Sequence, residues 1–140
     1  MNQSKSSIAQ AAEQVIESNH VFLEALLLRN FDVLARCWEH SERTVCVHAG
    51  KPPLRGWTEI ASSWSERLAV HKDNLATVSV NDVSVVVAGD TAWVTGDIDM
   101  VVGENAYASA TTNIFARHGE RWLMVAHHAS RVTNPQTHEA

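Results

Sequence analysis

Residues Val45–Trp64 read VCVHAGKPPLRGWTEIASSW, and this stretch decides the architecture. Val45, Cys46 and Val47 make a short strand that ends at His48. Gly50, Pro52 and Pro53 then form a turn, because the prolines forbid helix and confine any strand there to a sheet edge. A helix begins through Gly56. Trp57, Ile60, Ala61, Trp64 and Leu68 fall at helical spacing, so one face carries indoles and aliphatic groups and must cover something apolar. The later half of the chain supplies that partner as strand-like runs separated by turn signals, which form one antiparallel sheet. A curved sheet closed on one side by helices leaves a pocket, with His48 at its edge.

The chain has 140 residues, enough for one domain with a real core. Hydrophobic residues make up 45% and charged residues 19%, as in ordinary globular proteins. The net charge of −5, with Lys and Arg scattered, argues against a nucleic-acid groove. No apolar run reaches the roughly 20 residues that span a bilayer. The polar start MNQSKSS also lacks the apolar segment of a signal peptide, so a cytoplasmic location is expected. Cys37 and Cys46 form neither a metal nor a redox motif and read as small buried thiols.

Upstream of the opening stretch, Ile8, Ala12, Val15, Phe22 and Leu26 keep helical spacing, with Ile16, Leu23 and Leu27 widening the stripe. This predicts a long helix from Ser7 to about Leu28, with Asn19 and His20 interrupting its apolar stripe. Asn30 is an N-cap for a short second helix, Phe31–Glu39, where Asp32 suits the first turn. Downstream, His71–Asn74 is a polar exit. Val78, Val80, Val83, Val85 and Val87 mark a strand whose alternation slips at Asn81-Asp82, predicting a bulge. Turns at Gly89-Asp90, Gly103-Glu104 and His118-Gly119-Glu120 separate strands over 91–102, 105–117 and 121–132, and Thr133–Ala140 reads as a loose tail. Three helices with an early strand, followed by a meander, give an α+β domain with the helices on one sheet face.

A two-residue turn at Gly103-Glu104 pairs Val94 with Asn113 and puts Val94, Gly96, Ile98, Met100, Tyr107, Ser109, Thr111, Asn113 and Phe115 on one face. Apolar lining with a few polar groups is the usual make-up of a small-molecule site. The opposite face carries Trp93, Thr95, Asp97 and Asp99 beside Ala106, Ala108, Ala110, Thr112 and Ile114. Its small alanines let another surface approach, so it is read as a dimer contact. In the last hairpin, a two-residue loop turns Trp122, Met124, Ala126, His128 and Ser130 toward Asn113, whereas a three-residue loop with a bulge turns His127 there. Only one of the adjacent histidines enters the pocket.

The turn VHAGKPPLRG, the Trp-bearing helix after it, GDTAWVTGDID (Gly89–Asp99) and RWLMVAHHAS (Arg121–Ser130) resemble the SnoaL-like group of the nuclear transport factor 2-like superfamily over about residues 8–132. The resemblance implies a cone-shaped α+β fold, a curved mixed β-sheet wrapped around three N-terminal helices, and commonly a homodimer through the outer sheet face. The superfamily holds ketosteroid isomerase, polyketide cyclases, scytalone dehydratase, limonene epoxide hydrolase and non-catalytic association domains, so fold alone decides little. Val47 and His48 stand nearest to the position of the isomerase's base carboxylate, and neither is a carboxylate. The isomerase's Tyr and protonated Asp oxyanion donors have no evident match either.

His48 and one of His127 or His128 are the candidate acid/base residues, since imidazole titrates near neutral pH. The alternative for each is a hydrogen-bonded structural histidine. Trp38, Trp57 and Trp64 are candidate ligand-wall aromatics that would otherwise belong to the core, Tyr107 lines the same predicted face, and Asn113 is the candidate for orienting a carbonyl. The expected ligand is a small organic molecule handled without a cofactor, by cyclisation, isomerisation or dehydration if the protein is an enzyme. A ligand-sensing or assembly module is the competing class. No converging His, Cys and carboxylate set or Cys-x-x-Cys predicts a metal site, and no glycine-rich phosphate loop or Gly-x-Ser-x-Gly elbow is present.

Overall fold

The computed structural model describes residues 2–70 and 76–132. The predicted polar exit at His71–Asn74 and the tail Thr133–Ala140 lie outside them. The elements are α1 (Asn2–Leu27), α2 (Phe31–Arg36), β1 (Val45–Val47), β2 (Leu54–Arg55), α3 (Trp57–Val70), β3 (Ala76–Ala88), β4 (Thr91–Val102), β5 (Asn105–His118) and β6 (Arg121–Arg131). The strands form one sheet in the order β2-β1-β6-β5-β4-β3. β3 to β6 make the expected antiparallel meander, but β1 joins β6 in parallel, so the whole sheet is mixed. Curved around the helices, it forms the cone-shaped α+β fold. No helix among the described residues is long and apolar enough to cross a membrane.

Three helix ends have a visible local cause. Asn30 caps α2 by accepting from the Val33 N–H at 3.2 Å. α2 stops at Arg36, short of the predicted Glu39, because β6 claims the following backbone. The Met124 N–H donates to Cys37 O at 2.8 Å, and the Glu39 N–H donates to Met124 O at 3.0 Å. Gly56 stands at φ +86°, a left-handed conformation that costs glycine little, and this lets the chain swing from the edge strand β2 into α3. The adjacent amides are held: Gly56 N–H donates to Thr44 O at 2.8 Å and Trp57 N–H to Ser41 O at 3.0 Å.

The core lies between the helices and the concave sheet face, with Val15, Phe22, Leu34, Ile60, Phe115 and Met124 fully buried. Transfer of such side chains from water stabilises the fold by about 1.5–3 kcal/mol each. The predicted slip in β3 is present: register shifts between Asn81 and Ser84, and Asp82 sits at φ 54°. β4 and β5 pair as expected, with Val94 opposite Asn113. The last hairpin follows neither predicted register. It turns through two residues, pairing His118 with Arg121, and then gains one residue between Met124 and Ala126, so that Asn113 faces His127.

Candidate functional site

That bulge settles the histidine pair. Trp122 and Met124 point inward before it and His127 points inward after it, all buried, while His128 is left exposed on the outer face. His128 therefore does not reach the interior as one of the candidate acid/base residues. Parallel pairing of β1 with β6 sets Cys46 opposite His127, and His48, just beyond β1, is buried on the same side.

Two polar chains meet there. His127 donates from Nδ1 to Asn113 Oδ1 at 2.6 Å, and Asn113 donates from Nδ2 to Asn19 Oδ1 on α1 at 2.8 Å. The first bond fixes the tautomer: a neutral His127 carries its proton on Nδ1 and its lone pair on Nε2. Asn113 is thereby occupied at both ends of its amide, so it positions His127 rather than presenting a free group to a carbonyl. On the other side, His48 Nε2 and Ser63 Oγ of α3 share a hydrogen bond of 3.0 Å, with Cys46 Sγ 3.8 Å from the same nitrogen. The imidazole centroids are 6.5 Å apart.

Aromatic rings enclose both. Trp64 meets His48 edge to face at 4.7 Å and His127 at 5.6 Å, and Phe22 lies 5.4 Å from His127 and 5.7 Å from Trp64. Burial pushes the His48 pKa down to about 4, helped by the positive charges of Arg67 and Lys51. Burial likewise pushes His127 down to about 3, with His48, His128 and Arg67 adding to the effect. Both rings are neutral at pH 7 and resist protonation there, but each can accept a hydrogen bond. The Cys46 thiol is driven up to about 12 by burial, against smaller pulls from Arg67 and the Trp64 indole, so it is not an activated nucleophile. That indole influence is not a hydrogen bond in geometry: Trp64 Nε1 is a buried donor with no partner. Such a group costs about 1–3 kcal/mol when left unmatched.

The other predicted ligand residues fall elsewhere. Trp38 is buried and Trp57 half-buried, their rings 6.1 Å apart, with His40 stacked on Trp57 at 4.3 Å. This is a separate aromatic group, built by the loop after α2 and the start of α3. Tyr107 occupies the expected sheet face, but at the largely exposed β4–β5 end it is 46% exposed and lines no interior space. Sequence reasoning missed Asn19, read as a break in the α1 stripe, and Ser63. The signal was there for Ser63, one residue from Trp64 on the amphipathic helix. Concavities of about 720, 500 and 540 Å³ open on the described surface; His127 is among the residues lining the second, and His48, Trp64 and Asn113 line none of the three. Among the described residues, no group of three His, Cys, Asp or Glu could hold a metal ion.

A helix-lined cone with buried polar groups on its sheet defines a protein of the nuclear transport factor 2-like class. A structure from Streptomyces avermitilis, described as a candidate dehydratase of that family, superposes with a TM-score of 0.81 at 30% identity, covering 89% of this chain and 97% of its own. A candidate calcium/calmodulin-dependent protein kinase type II association domain from Thiobacillus denitrificans gives 0.72 at 23% identity, covering 83% and 93%. The SnoaL-like domain matches residues 15–135, and the chain belongs to that family. F-box protein SKIP8 of Arabidopsis thaliana is 30% identical over 116 residues, 83% of this chain but 48% of that protein. The chain thus spans about half the length of this curated relative.

Proposed function

We propose that the protein binds a small, uncharged organic molecule bearing a carbonyl, seated among His48, His127 and Trp64 inside the cone. The observation that carries this reading is the buried, unpartnered Trp64 N–H beside two neutral imidazoles. A carbonyl oxygen would satisfy that donor, and a displaced Phe22 ring would make the room. The His127 Nε2 lone pair and His48 would then accept hydrogen bonds from the bound molecule, and would take a proton from an acidic C–H beside the carbonyl only as the developing enolate charge raises their lowered pKa values, which is the chemistry of an isomerase, cyclase or dehydratase. Arg67 and Lys51 place positive charge near His48, which favours the enolate that such a step creates.

A screen of small cyclic ketones and lactones tests this by thermal shift, tryptophan fluorescence and turnover. Binding is expected to raise the melting temperature in the wild type and to weaken in Trp64→Phe, which keeps an aromatic ring but removes the N–H. Turnover, where present, is expected to disappear in His48→Ala. Absence of any shift across the screen, or a shift untouched by Trp64→Phe, rejects the reading.

A second reading, self-assembly, rests on a different face. Val45, Val47, Ala110, Thr112, Ile114 and Ala126 line a shallow concavity of about 500 Å³ on the outer side of the sheet. Val86 and Val101 are exposed there. A homodimer through this face would cover it, and the two uses of the fold are compatible.

A further inference from the structure

A groove of about 720 Å³ opens between α1, α2 and the β5–β6 turn and shares no lining residue with the interior cluster. That volume falls within the range of about 300–1,000 Å³ typical of small-molecule sites. Val21, Val33 and Leu123 give it an apolar lining, and the buried Trp122 is held in place by donating its indole N–H to Gln14 Oε1 at 3.2 Å. Its charges are of both signs. α1 contributes the exposed acids Glu13 and Glu17, whereas Arg36 of α2 and Arg121 of the hairpin contribute guanidiniums.

Arg121 is tied to the end of α2, since its Nη2 donates to the backbone carbonyl of Arg36 at 3.2 Å. Both also bear on the Cys37 thiol in the same groove, pulling against the burial that raises its pKa to about 11. Glu120, next to Arg121 at the turn, lines the groove too. None of these acids and arginines is ion-paired among the described residues; the pairs present are His20–Glu24, Arg43–Glu39 and His118–Glu39. An apolar trough with two unpaired carboxylates on α1 and two unpaired guanidiniums across it, one of them next to Glu120, matches a ligand with an ammonium group, an apolar body and a carboxylate.

We propose that this groove binds a short free peptide, its carboxylate on Arg36 and Arg121, its ammonium on Glu13 and Glu17, and its apolar side chains on Val21, Val33 and Leu123. The binding is non-covalent, since a thiol with so high a pKa is not a nucleophile at neutral pH. Trileucine, N-acetyl-trileucine and trileucine amide are the probes, followed by calorimetry and by the Trp122 indole N–H resonance. Trileucine is expected to shift that resonance, and each capped form to bind about fivefold more weakly, as suits a partly exposed ion pair. Arg36→Gln is expected to weaken trileucine but not the amide, and Glu17→Gln to weaken trileucine but not the acetylated form. Both residues are exposed, so the fold survives either change. An indole resonance unmoved at millimolar trileucine, or capped peptides that bind as well as the free one, overturns the proposal.

Discussion

His118 on the last hairpin donates from Nε2 to Glu39 Oε2 at 2.6 Å across 79 residues of chain, tying the segment after α2 to the turn before β6. The same carboxylate takes both the Nε and Nη2 donors of Arg43 at 2.7 Å and the Ser41 hydroxyl at 2.6 Å. The Arg43 hydrogen bonds, opposed by burial and aided by Ser41 and His118, hold its pKa at about 2. A depressed carboxylate pKa contributes stability above the unfolded value of 4.5 that fades as pH falls toward 2. Glu39→Gln is expected to cost about 1–3 kcal/mol at pH 7 and to flatten the acid limb between those values. Urea melts across pH check both; an unchanged acid limb would show that Glu39 does not set it.

The interior imidazoles give a second pH dependence. Their pKa values are lowered, so the unfolded chain binds protons that the folded chain refuses between the ordinary value of 6.5 and about 4. Stability is intact above pH 6.5 and declines as pH falls through that window. His127→Gln and His48→Gln are each expected to reduce the slope. Nitrogen-15 spectra of the imidazoles should also show His127 neutral and protonated on Nδ1 at pH 6, and a protonated His127 there would contradict its placement.

Asn113 links the sheet to α1, and its loss orphans groups on both sides. Asn113→Leu leaves the His127 Nδ1–H and Asn19 Oδ1 buried without partners and is expected to destabilise the fold by about 2–4 kcal/mol. Adding Asn19→Leu should cost less than its single effect, because its partner is already gone. Strict additivity in a double-mutant cycle counts against the Asn19–Asn113–His127 chain.

For the outer face, Ala110→Arg puts a charge into the concavity between Val45, Val47, Ile114 and Ala126. If that face is the homodimer contact, sizing chromatography with light scattering should show dimers for the wild type and monomers for the variant. Dimers in both would move the contact elsewhere.

The sheet and helices were legible because their signals are local. Valine alternation, the slip at Asn81-Asp82, the Asn30 cap and the glycine turns each act within a few residues. The β4–β5 register followed from one turn and the period of two. The histidine assignment was not legible, because it depends on one extra residue in β6 between Met124 and Ala126, which the flanking turn does not dictate. Nor was the parallel contact of β1 with β6, which joins residues far apart in sequence. Asn19 shows the same difficulty: a polar residue in an apolar stripe reads as an interruption until Asn113, 94 positions away, supplies its partner.

The parallel seam between β1 and β6 also orders events in time. His48 is synthesised early and His127 late, and the strand that seats one against the other is the last made. β1 and β2 can dock only after the meander closes, and such distant pairings form slowly because a long loop must first be drawn in. A nascent or truncated chain lacking β6 would leave β1 paired only with the two-residue β2, its other edge open to chaperones and proteases. Completion of the cone interior is therefore a report that the whole domain has folded.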